Sequence, residues 1–185
     1  MTTPQEEPTV ESHRAFEGQL FNVRVDTVRL PNGRLAHREI VEHGDSVCIV
    51  PLDRQNNVVL VHQYRKPLDR FLLEVPAGGM NPGEDPEEAA LRELKEETGY
   101  QADKLERLSY FWTTPGFCTE GMHAYLATGL EAGSDTPEED ENIEVVRAAL
   151  EEVPAMIASG EIQDGKSIAS LLMVMAMKQG RLNVG

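Results

Sequence analysis

Apolar and polar residues alternate near the amino terminus of the chain. Phe21, Val23 and Val25 are separated by polar residues, and this period of two predicts a half-buried strand within residues 19–30. The turn sequence PNG follows, and residues 34–43 are predicted to return as a second strand. The chain is therefore expected to begin with a pair of antiparallel strands.

Two later segments contain runs of consecutive apolar residues, which are typical of strands buried on both faces. They are SVCIVPL at residues 46–52 and VVLVHQY at residues 58–64. Four further strands and two helices are also predicted. The strands span residues 70–76, 105–113, 122–130 and 143–147, and the helices span residues 153–159 and 167–179. The polar stretch 131–142 is predicted to be a loop.

A third helix, described next, lies between strands, and this mixture predicts an α/β fold with a sheet covered by helices. A chain of 185 residues suits one domain with a substantial core. Residues 1–14 are polar and contain two prolines, so we predict a flexible N-terminal arm there. Residues 15–185 are then expected to form the single domain.

Strong local signals bound the third helix. Asp85 can cap free amide groups, Pro86 suits the first helical position, and Gly99 permits a left-handed end. Within the helix, three acids share one arc and three apolar residues share a neighbouring arc. The acids are Glu93, Glu96 and Glu97, and the apolar residues are Ala90, Leu91 and Leu94.

The acidic arc of this helix indicates either a bound cation or a solvated surface. Like charges on one face cost stability, and acids in the last turns oppose the helix dipole. Arg92 precedes Glu96 by four residues and is placed to hold that carboxylate. A turn predicted at Gly78-Gly79 would let backbone carbonyls face the same spot. Carboxylate and carbonyl oxygens are the ligands that suit Mg²⁺ or Mn²⁺.

The charge of the whole chain limits its partners. A net charge of −15 argues against a broad surface for nucleic acid or anionic membrane. Seven acids lie within residues 84–97 and seven more within 131–144, so the second acidic segment also needs a function. The amino terminus lacks the apolar stretch of a secretory signal, and no run approaches the roughly 18 apolar residues of a membrane span. We therefore expect no nucleic acid, no membrane and a cytoplasmic location.

The spacing of residues 78–100 resembles the Nudix box. That pattern is Gly, five residues, Glu, seven residues, and then Arg-Glu-U-x-Glu-Glu-x-Gly-U, with U a bulky apolar residue. Every fixed position matches, and only Tyr100 departs, because it is aromatic where an aliphatic residue is usual. The resemblance implies the Nudix fold, an α/β/α sandwich with a mixed sheet and N-terminal antiparallel strands. It also implies an enzyme that hydrolyses the diphosphate of a nucleoside diphosphate derivative with divalent metal.

Segments that flank the box are similar to the ADP-ribose pyrophosphatase branch of the Nudix family. They are LLEVPAGG at 72–79, which leads into the box, QYR at 63–65, the Pro-Gly pair at 115–116, Glu120, and IQDGKS at 162–167. This resemblance implies hydrolysis of ADP-ribose to AMP and ribose 5-phosphate. Hydrolysis of an NDP-sugar, GDP-mannose or a dinucleoside polyphosphate is the nearest alternative. A nucleotide-binding Nudix module without catalysis is a more distant one.

The resemblance also assigns residues to the chemistry. Two or more Mg²⁺ or Mn²⁺ ions would be held by the carbonyl of Ala77 and by Glu93, Glu97 and Glu141. The catalytic set comprises Arg92, Glu96 and Glu139, with Glu96 either binding metal or orienting Arg92. Glu139 is placed as the general base in the acidic loop. Glu138, Asp140 and Glu141 are close enough to take that place, and the loop has a plain alternative as a solvated segment.

Substrate-binding positions follow from the same resemblance. They are Arg38, Glu39, Arg65, Gly79, Pro115, Gly116 and Glu120. An adenine would need an aromatic side chain to stack on, and the candidates are Phe16, Phe21, Trp112 and Phe117. In this branch the N-terminal strands often cross to a second subunit, so a homodimer is expected by resemblance. The substrate is then a small-molecule nucleotide diphosphate.

Overall fold

The computed structural model describes residues 5–133 and 143–182. Within these ranges the chain forms ten strands and three α-helices. The strands β1 to β10 are, in order, Thr9–Glu17, Asn22–Arg29, Leu35–Glu42, Ser46–Pro51, Asn57–Arg65, Arg70–Glu74, Ala77–Gly79, Tyr100–Trp112, Gly121–Ala132 and Ile143–Ala149. The helices α1 to α3 are Pro86–Thr98, Val153–Ser159 and Gly165–Lys178. Every helix in the described ranges is too short or too polar to cross a bilayer.

The chain divides into two compact units. The strand unit comprises Met1–Asp45 and Trp112–Gly121, and the sandwich unit comprises Ser46–Phe111 and Met122–Gly185. In the strand unit, β1, β2 and β3 form one antiparallel sheet in that order. This sheet confirms the prediction of antiparallel strands near the amino terminus.

The strand β1 overlaps the segment that the sequence predicts to be a flexible arm. All nine of its residues are exposed, so its sequence carries no buried apolar face. Pairing with β2 holds it instead, and the Ser12 hydroxyl adds a hydrogen bond of 2.6 Å to the Asp26 carboxylate. The predicted arm therefore does not extend through residues 9–14, because cross-strand bonds that composition does not reveal order them.

The sandwich unit contains two sheets. One has the strand order β7-β4-β9-β8, with β4 parallel to β9 and antiparallel to β7. The other is antiparallel with the order β10-β5-β6. The predicted mixed sheet is thus confirmed. The three-residue strand β7 stands where a Gly-Gly turn is predicted, so the prediction of a turn there is wrong.

Alternate residues of β4 belong to two different hydrophobic cores. All six residues of the strand are buried, and successive side chains point to opposite faces. Val47 and Ile49 belong to the core that contains Ala89, Ala90 and Leu94 of α1. Cys48 and Val50 belong to the core that contains Leu171 and Val174 of α3. Helices therefore cover both faces of the sheet, and the predicted α/β/α sandwich is confirmed.

Candidate active site

The helix α1 begins and ends where its capping residues predict. The Asp85 carboxylate accepts a hydrogen bond from the Glu87 amide at 2.9 Å, and Pro86 takes the first helical position. Gly99 ends the helix in the left-handed conformation, with φ of 71°. These caps fix which residues face the sheet. The buried residues are Ala89, Ala90, Glu93, Leu94, Glu97 and Thr98.

Two of the buried positions of α1 are acids, and this alters the predicted apolar arc. Glu93 is 9% exposed and Glu97 is 3% exposed, whereas Leu91 is 41% exposed. The buried stripe runs through the pairs 89–90, 93–94 and 97–98, so turning the two acids inward turns Leu91 outward. The prediction that Leu91 shares the apolar face is wrong, since hydrophobicity alone does not set the rotation of this helix.

The Glu93 carboxylate packs directly on the backbone of Gly78 in β7. A Cβ atom placed on Gly78 would meet the carboxylate carbon and oxygens of Glu93 at 2.1 to 2.3 Å. Such distances are far inside van der Waals contact, so only glycine leaves room for the carboxylate. The fixed glycine of the box is therefore explained by a close approach of an acid rather than by a turn.

The Glu97 carboxylate is bound to the neighbouring residue of the same strand. The Ala77 amide donates a hydrogen bond of 3.0 Å to Oε2 of Glu97. In the sheet, Ala77 is the partner of Cys48 in β4, and Gly78 is the partner of Val47. The backbone of β7 and the two buried acids of α1 therefore lie together, as the sequence predicts for Ala77, Glu93 and Glu97.

Arg92 connects most of the acids of this region. Its guanidinium donates to both oxygens of Glu84, at 2.8 and 3.0 Å, and to the carbonyl of Gly79 at 3.1 Å. One nitrogen, Nη1, also donates to Glu93 at 2.7 Å and to Glu96 at 2.9 Å. The predicted pairing of Arg92 with Glu96 is confirmed. We call Arg92, Glu84, Glu93, Glu96 and Glu97 the box cluster.

These contacts change the acidity of two groups in the box cluster. Hydrogen bonds from Arg92 and from the Asn81 amide lower the pKa of Glu84 from an ordinary value of 4.5 to about 2. The bonded acids, Glu84 first among them, raise the pKa of Arg92. Glu84 thus stays ionised at neutral pH and keeps the guanidinium in place.

The box cluster fits a divalent metal by the chemistry of its donors. Hard oxygen ligands come from the two buried carboxylates of Glu93 and Glu97, and the Glu93 carboxylate is packed on the backbone of Gly78. In residues 5–133 and 143–182, no three side chains of His, Cys, Asp or Glu have metal-holding geometry. The predicted set includes only two acids from those ranges, together with a backbone carbonyl. Glu139 and Glu141, and their alternatives Glu138 and Asp140, lie outside the described residues.

A second charged group lies where β6 meets the start of α3. The Arg65 guanidinium forks onto Glu74 with bonds of 2.9 and 2.7 Å, and Lys166 also donates to Glu74. Lys166 donates further to Asp164 at 2.9 Å. We call Arg65, Glu74, Lys166 and Asp164 the Glu74 cluster. Arg65 is predicted to bind substrate, and that role stays a prediction beside its observed bond to Glu74.

The Glu74 cluster keeps its acids charged despite burial. Glu74 is 1% exposed, and burial alone would raise its pKa, but the bonds from Arg65 and Lys166 lower the pKa below its ordinary value. Burial likewise opposes the bonds from Lys166 and Ser167 at Asp164, and the pKa of Asp164 is again lowered. Sequence reasoning assigned no role to Glu74, Asp164 or Lys166. The available signal was their place in LLEVPAGG and IQDGKS.

The strand unit contains a groove of about 380 Å³. It brings together four of the predicted substrate-binding residues, and these are Arg38, Glu39, Pro115 and Gly116. The Arg38 guanidinium donates to both carboxylate oxygens of Glu7, at 2.9 and 2.8 Å. A guanidinium in this geometry can donate to two oxygens of a phosphate in the same way. Phe117, one of the candidate aromatics, also lines the groove.

The remaining predicted residues lie elsewhere. Glu120 accepts a hydrogen bond of 2.7 Å from the Thr113 hydroxyl, and its other oxygen is 3.7 Å from His43 Nδ1. Gly79 belongs to β7 in the sandwich unit, where its carbonyl accepts from Arg92. Among the other candidate aromatics, Phe16 and Phe21 pack together with ring centres 5.8 Å apart.

Family comparisons agree with the class of protein that this fold and box define. Residues 42–171 match the NUDIX domain, so the chain belongs to the Nudix family and is a Nudix hydrolase. Residues 7–41 match the nucleoside diphosphate sugar hydrolase N-terminal domain. The resemblance read from residues 78–100 is therefore confirmed.

Three relatives illustrate the range of proteins to which the chain is similar. It is 41% identical to an ADP-ribose pyrophosphatase of Bacillus subtilis (strain 168), over 88% of this chain and 89% of the relative. It is 40% identical to the methanol dehydrogenase activator of Bacillus methanolicus, over 90% and 91% of the two chains. It is 39% identical to a GDP-mannose pyrophosphatase of Yersinia enterocolitica, over 72% and 75%.

A solved structure confirms the fold. The crystal structure of an ADP compounds hydrolase superposes with a TM-score of 0.86 and covers 98% of this chain and 100% of its own. Sequence identity to that protein is 24%. The likeness therefore supports the architecture described above.

Proposed function

We propose that this Nudix hydrolase cleaves the diphosphate of ADP-ribose into AMP and ribose 5-phosphate, with Mg²⁺ or Mn²⁺ as cofactor. The observation that carries the proposal is the packing of two buried acids on one short strand. Glu93 lies against Gly78, and Glu97 accepts from the Ala77 amide. Buried carboxylates of like charge are costly unless a cation joins them.

In this mechanism Glu93, Glu97 and the carbonyl of Ala77 would hold the metal ions, with Glu141 as a further ligand. A divalent ion held there would supply positive charge against the diphosphate and would act as a Lewis acid toward its oxygens. Arg92 keeps Glu93 and Glu96 oriented through its bonds at 2.7 and 2.9 Å. We assign Glu139, in the acidic loop, as the base that takes a proton from the attacking water. Glu138 and Glu141 remain the alternatives for that step.

The substrate class is supported by the relatives and by the strand unit. Relatives named ADP-ribose pyrophosphatase are 41% and 38% identical to this chain. The match of residues 7–41 to an N-terminal domain of nucleoside diphosphate sugar hydrolases supports a role in recognition for the groove of Arg38. In our proposal Arg38 binds a phosphate or ribose hydroxyl, and Phe117 offers a face for the base.

A second candidate substrate is GDP-mannose, because a relative 39% identical to this chain carries the name GDP-mannose pyrophosphatase. A substrate panel separates the candidates. ADP-ribose, GDP-mannose, a UDP-sugar and a diadenosine polyphosphate are compared by kcat/KM with Mg²⁺. We expect ADP-ribose to rank first and the Glu97→Gln variant to be inactive on all four. A higher kcat/KM for any other substrate would contradict the assignment of ADP-ribose while leaving the diphosphatase chemistry intact.

We also propose that the enzyme is a cytoplasmic homodimer. The strand unit exposes several large apolar side chains, which is typical of a surface that binds a partner. They include Leu20 at 74%, Phe117 at 56% and Phe16 at 51% exposure. Light scattering coupled to size-exclusion chromatography should give twice the mass of 20.5 kDa. A monomeric mass at the concentration of the assay would contradict the dimer.

A further inference from the structure

Three backbone groups next to the box cluster are each bound by a different element. The Val75 amide donates to Ser167 Oγ of α3 at 2.9 Å, and the Ile49 amide of β4 donates to the Pro76 carbonyl at 2.9 Å. The Ala77 amide donates to Glu97 of α1 at 3.0 Å. Residues 75–77 lead directly into β7, and Pro76 has no amide hydrogen of its own. The segment that carries the Ala77 carbonyl is therefore fixed from three sides.

Of these three partners, only Ser167 lies outside the box cluster and its sheet. It is completely buried, and its hydroxyl donates to Asp164 Oδ2 at 2.6 Å while accepting from Val75. Asp164 also accepts from the Ser167 amide at 2.9 Å, which caps the start of α3. Because the hydroxyl proton is committed to Asp164, a lone pair of the oxygen is directed at the Val75 amide.

A second hydrogen bond, from Lys166 to Glu74, lies next to the bond between Ser167 and Val75 and limits its movement. Lys166, the residue before Ser167, donates to Glu74, the residue before Val75. Two successive residues of α3 therefore hold two successive residues of the chain where β6 ends. Loss of the Ser167 hydroxyl would leave the Val75 amide, on a fully buried residue, without its acceptor. The backbone would then shift to find water or another acceptor, and Ala77 lies two residues further on.

We propose that Ser167 is a positioning residue for the metal site, acting through the Val75 amide on the carbonyl of Ala77. This inference rests on the proposed metal-dependent function. The simpler alternative is that Ser167 contributes only to stability, as any buried hydrogen bond does. The two roles differ in whether metal affinity changes while the protein is fully folded.

The chain offers a matched control in Ser170. Ser170 is also completely buried on α3, but its hydroxyl donates within the helix, to the Lys166 carbonyl at 2.7 Å. It also neighbours the Cys48 thiol, on the same face of the sheet. Ser167→Ala and Ser170→Ala thus each remove one buried hydroxyl from one helix. Only Ser167→Ala removes a bond to residues 75–77.

The test is Mn²⁺ binding, followed by electron paramagnetic resonance without substrate. Changes in groups that support metal ligands typically cost about 10- to 100-fold in affinity, so we expect Ser167→Ala to weaken Mn²⁺ binding about tenfold. Ser170→Ala should stay within about twofold of the wild type. Tm should fall further in Ser167→Ala, which leaves the buried Val75 amide without its acceptor, so Mn²⁺ binding is compared at a temperature at which both variants are fully folded. Hydrogen exchange should quicken at the amides of Val75 and Ala77 in Ser167→Ala alone.

The outcomes separate this inference from the function on which it rests. If the wild type does not bind Mn²⁺, or if the Glu97→Gln variant binds it equally well, the proposed metal site is wrong and the positioning role fails with it. If Glu97→Gln removes binding but the two serine variants bind alike, only the positioning role is overturned. If Ser167→Ala does not fold, Ser167→Cys takes its place, because it keeps the volume and weakens the acceptor. The same tenfold difference from Ser170→Ala is then required.

Discussion

The box cluster and the Glu74 cluster lie on two sides of the same short segment, residues 74–79, yet their charges differ. The Glu74 cluster has two cations, Arg65 and Lys166, for two acids, Glu74 and Asp164. The box cluster has one cation, Arg92, for four acids, so its named charges give a net of −3. Counted over these named residues, the Glu74 cluster is neutral, and the box cluster has more acids than cations.

The difference indicates what each cluster is for. A buried ionic group that serves the fold alone is expected to balance its charges, because an uncompensated buried charge is costly. A group that binds a cation must keep negative charge in reserve. The surplus in the box cluster therefore favours a metal site, and the balance in the Glu74 cluster favours a structural role.

Loss of the central acid from the balanced cluster should have the largest effect on stability. Glu74→Ala leaves Arg65 and Lys166 without their shared carboxylate, and breaking a buried pair costs about 3 to 5 kcal/mol. Urea unfolding should show that loss, and added Mg²⁺ should not restore it. The exposed Glu88→Ala serves as the control and should remain near the wild type. A cost as small as that of the control would remove the contrast between the clusters.

Loss of an acid from the surplus cluster should instead harm activity. Glu97→Gln and Glu93→Gln should each lower kcat at least about 10²-fold, on the scale of a major electrostatic contribution to catalysis. Stability should change little, since one of several like charges is removed and the side-chain carbonyl introduced by Glu97→Gln can still accept from the Ala77 amide. Steady-state kinetics with Mg²⁺ test the expected fall in kcat, and thermal unfolding tests the expected small change in stability. Retained kcat in both variants would refute the metal-binding assignment.

A methyl group on Gly78 should lower activity much more than it lowers stability. Gly78→Ala places a Cβ about 2 Å from the Glu93 carboxylate, and a flexible side-chain end can move aside at low cost. We expect a roughly 10-fold or larger fall in kcat with a small fall in Tm, because the carboxylate leaves its position. Gly79→Ala meets nothing within 4 Å and is the matched variant for stability. Equal kcat in the Gly78→Ala variant and the wild type would mean that the position of Glu93 does not matter.

The smallest effect should appear at acid pH. The pKa of Glu84 is about 2 when folded, against an ordinary 4.5, so folding favours its ionised form. Its contribution to stability is complete above about pH 4.5 and is lost as the pH falls toward 2. Thermal unfolding across this range should show a shallower decline for Glu84→Gln than for the wild type. Parallel curves would mean that Arg92 does not stabilise the Glu84 carboxylate.

Local signals in the sequence predicted much of the fold. The bounds of α1 follow from Asp85, Pro86 and Gly99, which act on their own neighbours in the chain. No apolar pattern in the sequence predicts the strand β1 or the three residues of β7, because pairing with β2 and β4 orders them. Strand order and helix rotation depend in the same way on partners distant in sequence.

In the candidate site as well, contacts between residues close in sequence are predicted and contacts between distant residues are not. Glu93, Glu97 and Arg92 were predicted because they belong to one helix with fixed spacing. The sequence does not predict the bonds from Arg65 to Glu74, because they join two strands across a hairpin. It does not predict the bond between Ser167 and Val75 either, because 92 residues separate the two. Burial of Glu93 against Gly78 was also invisible, since sequence shows that a glycine is present but not what approaches it.

The strand β4, which is buried on both faces, limits where residues can be inserted into this chain. A one-residue insertion within Ser46–Pro51 would exchange the side chains that face α1 with those that face α3. It would also move the backbone partners of β7, so that Ala77 would no longer lie opposite Cys48. Insertions should be tolerated at the exposed turn between β2 and β3, because the turn can take up an extra residue without changing the register of the two strands. Within β4, length is constrained by the fold and by the chemistry together.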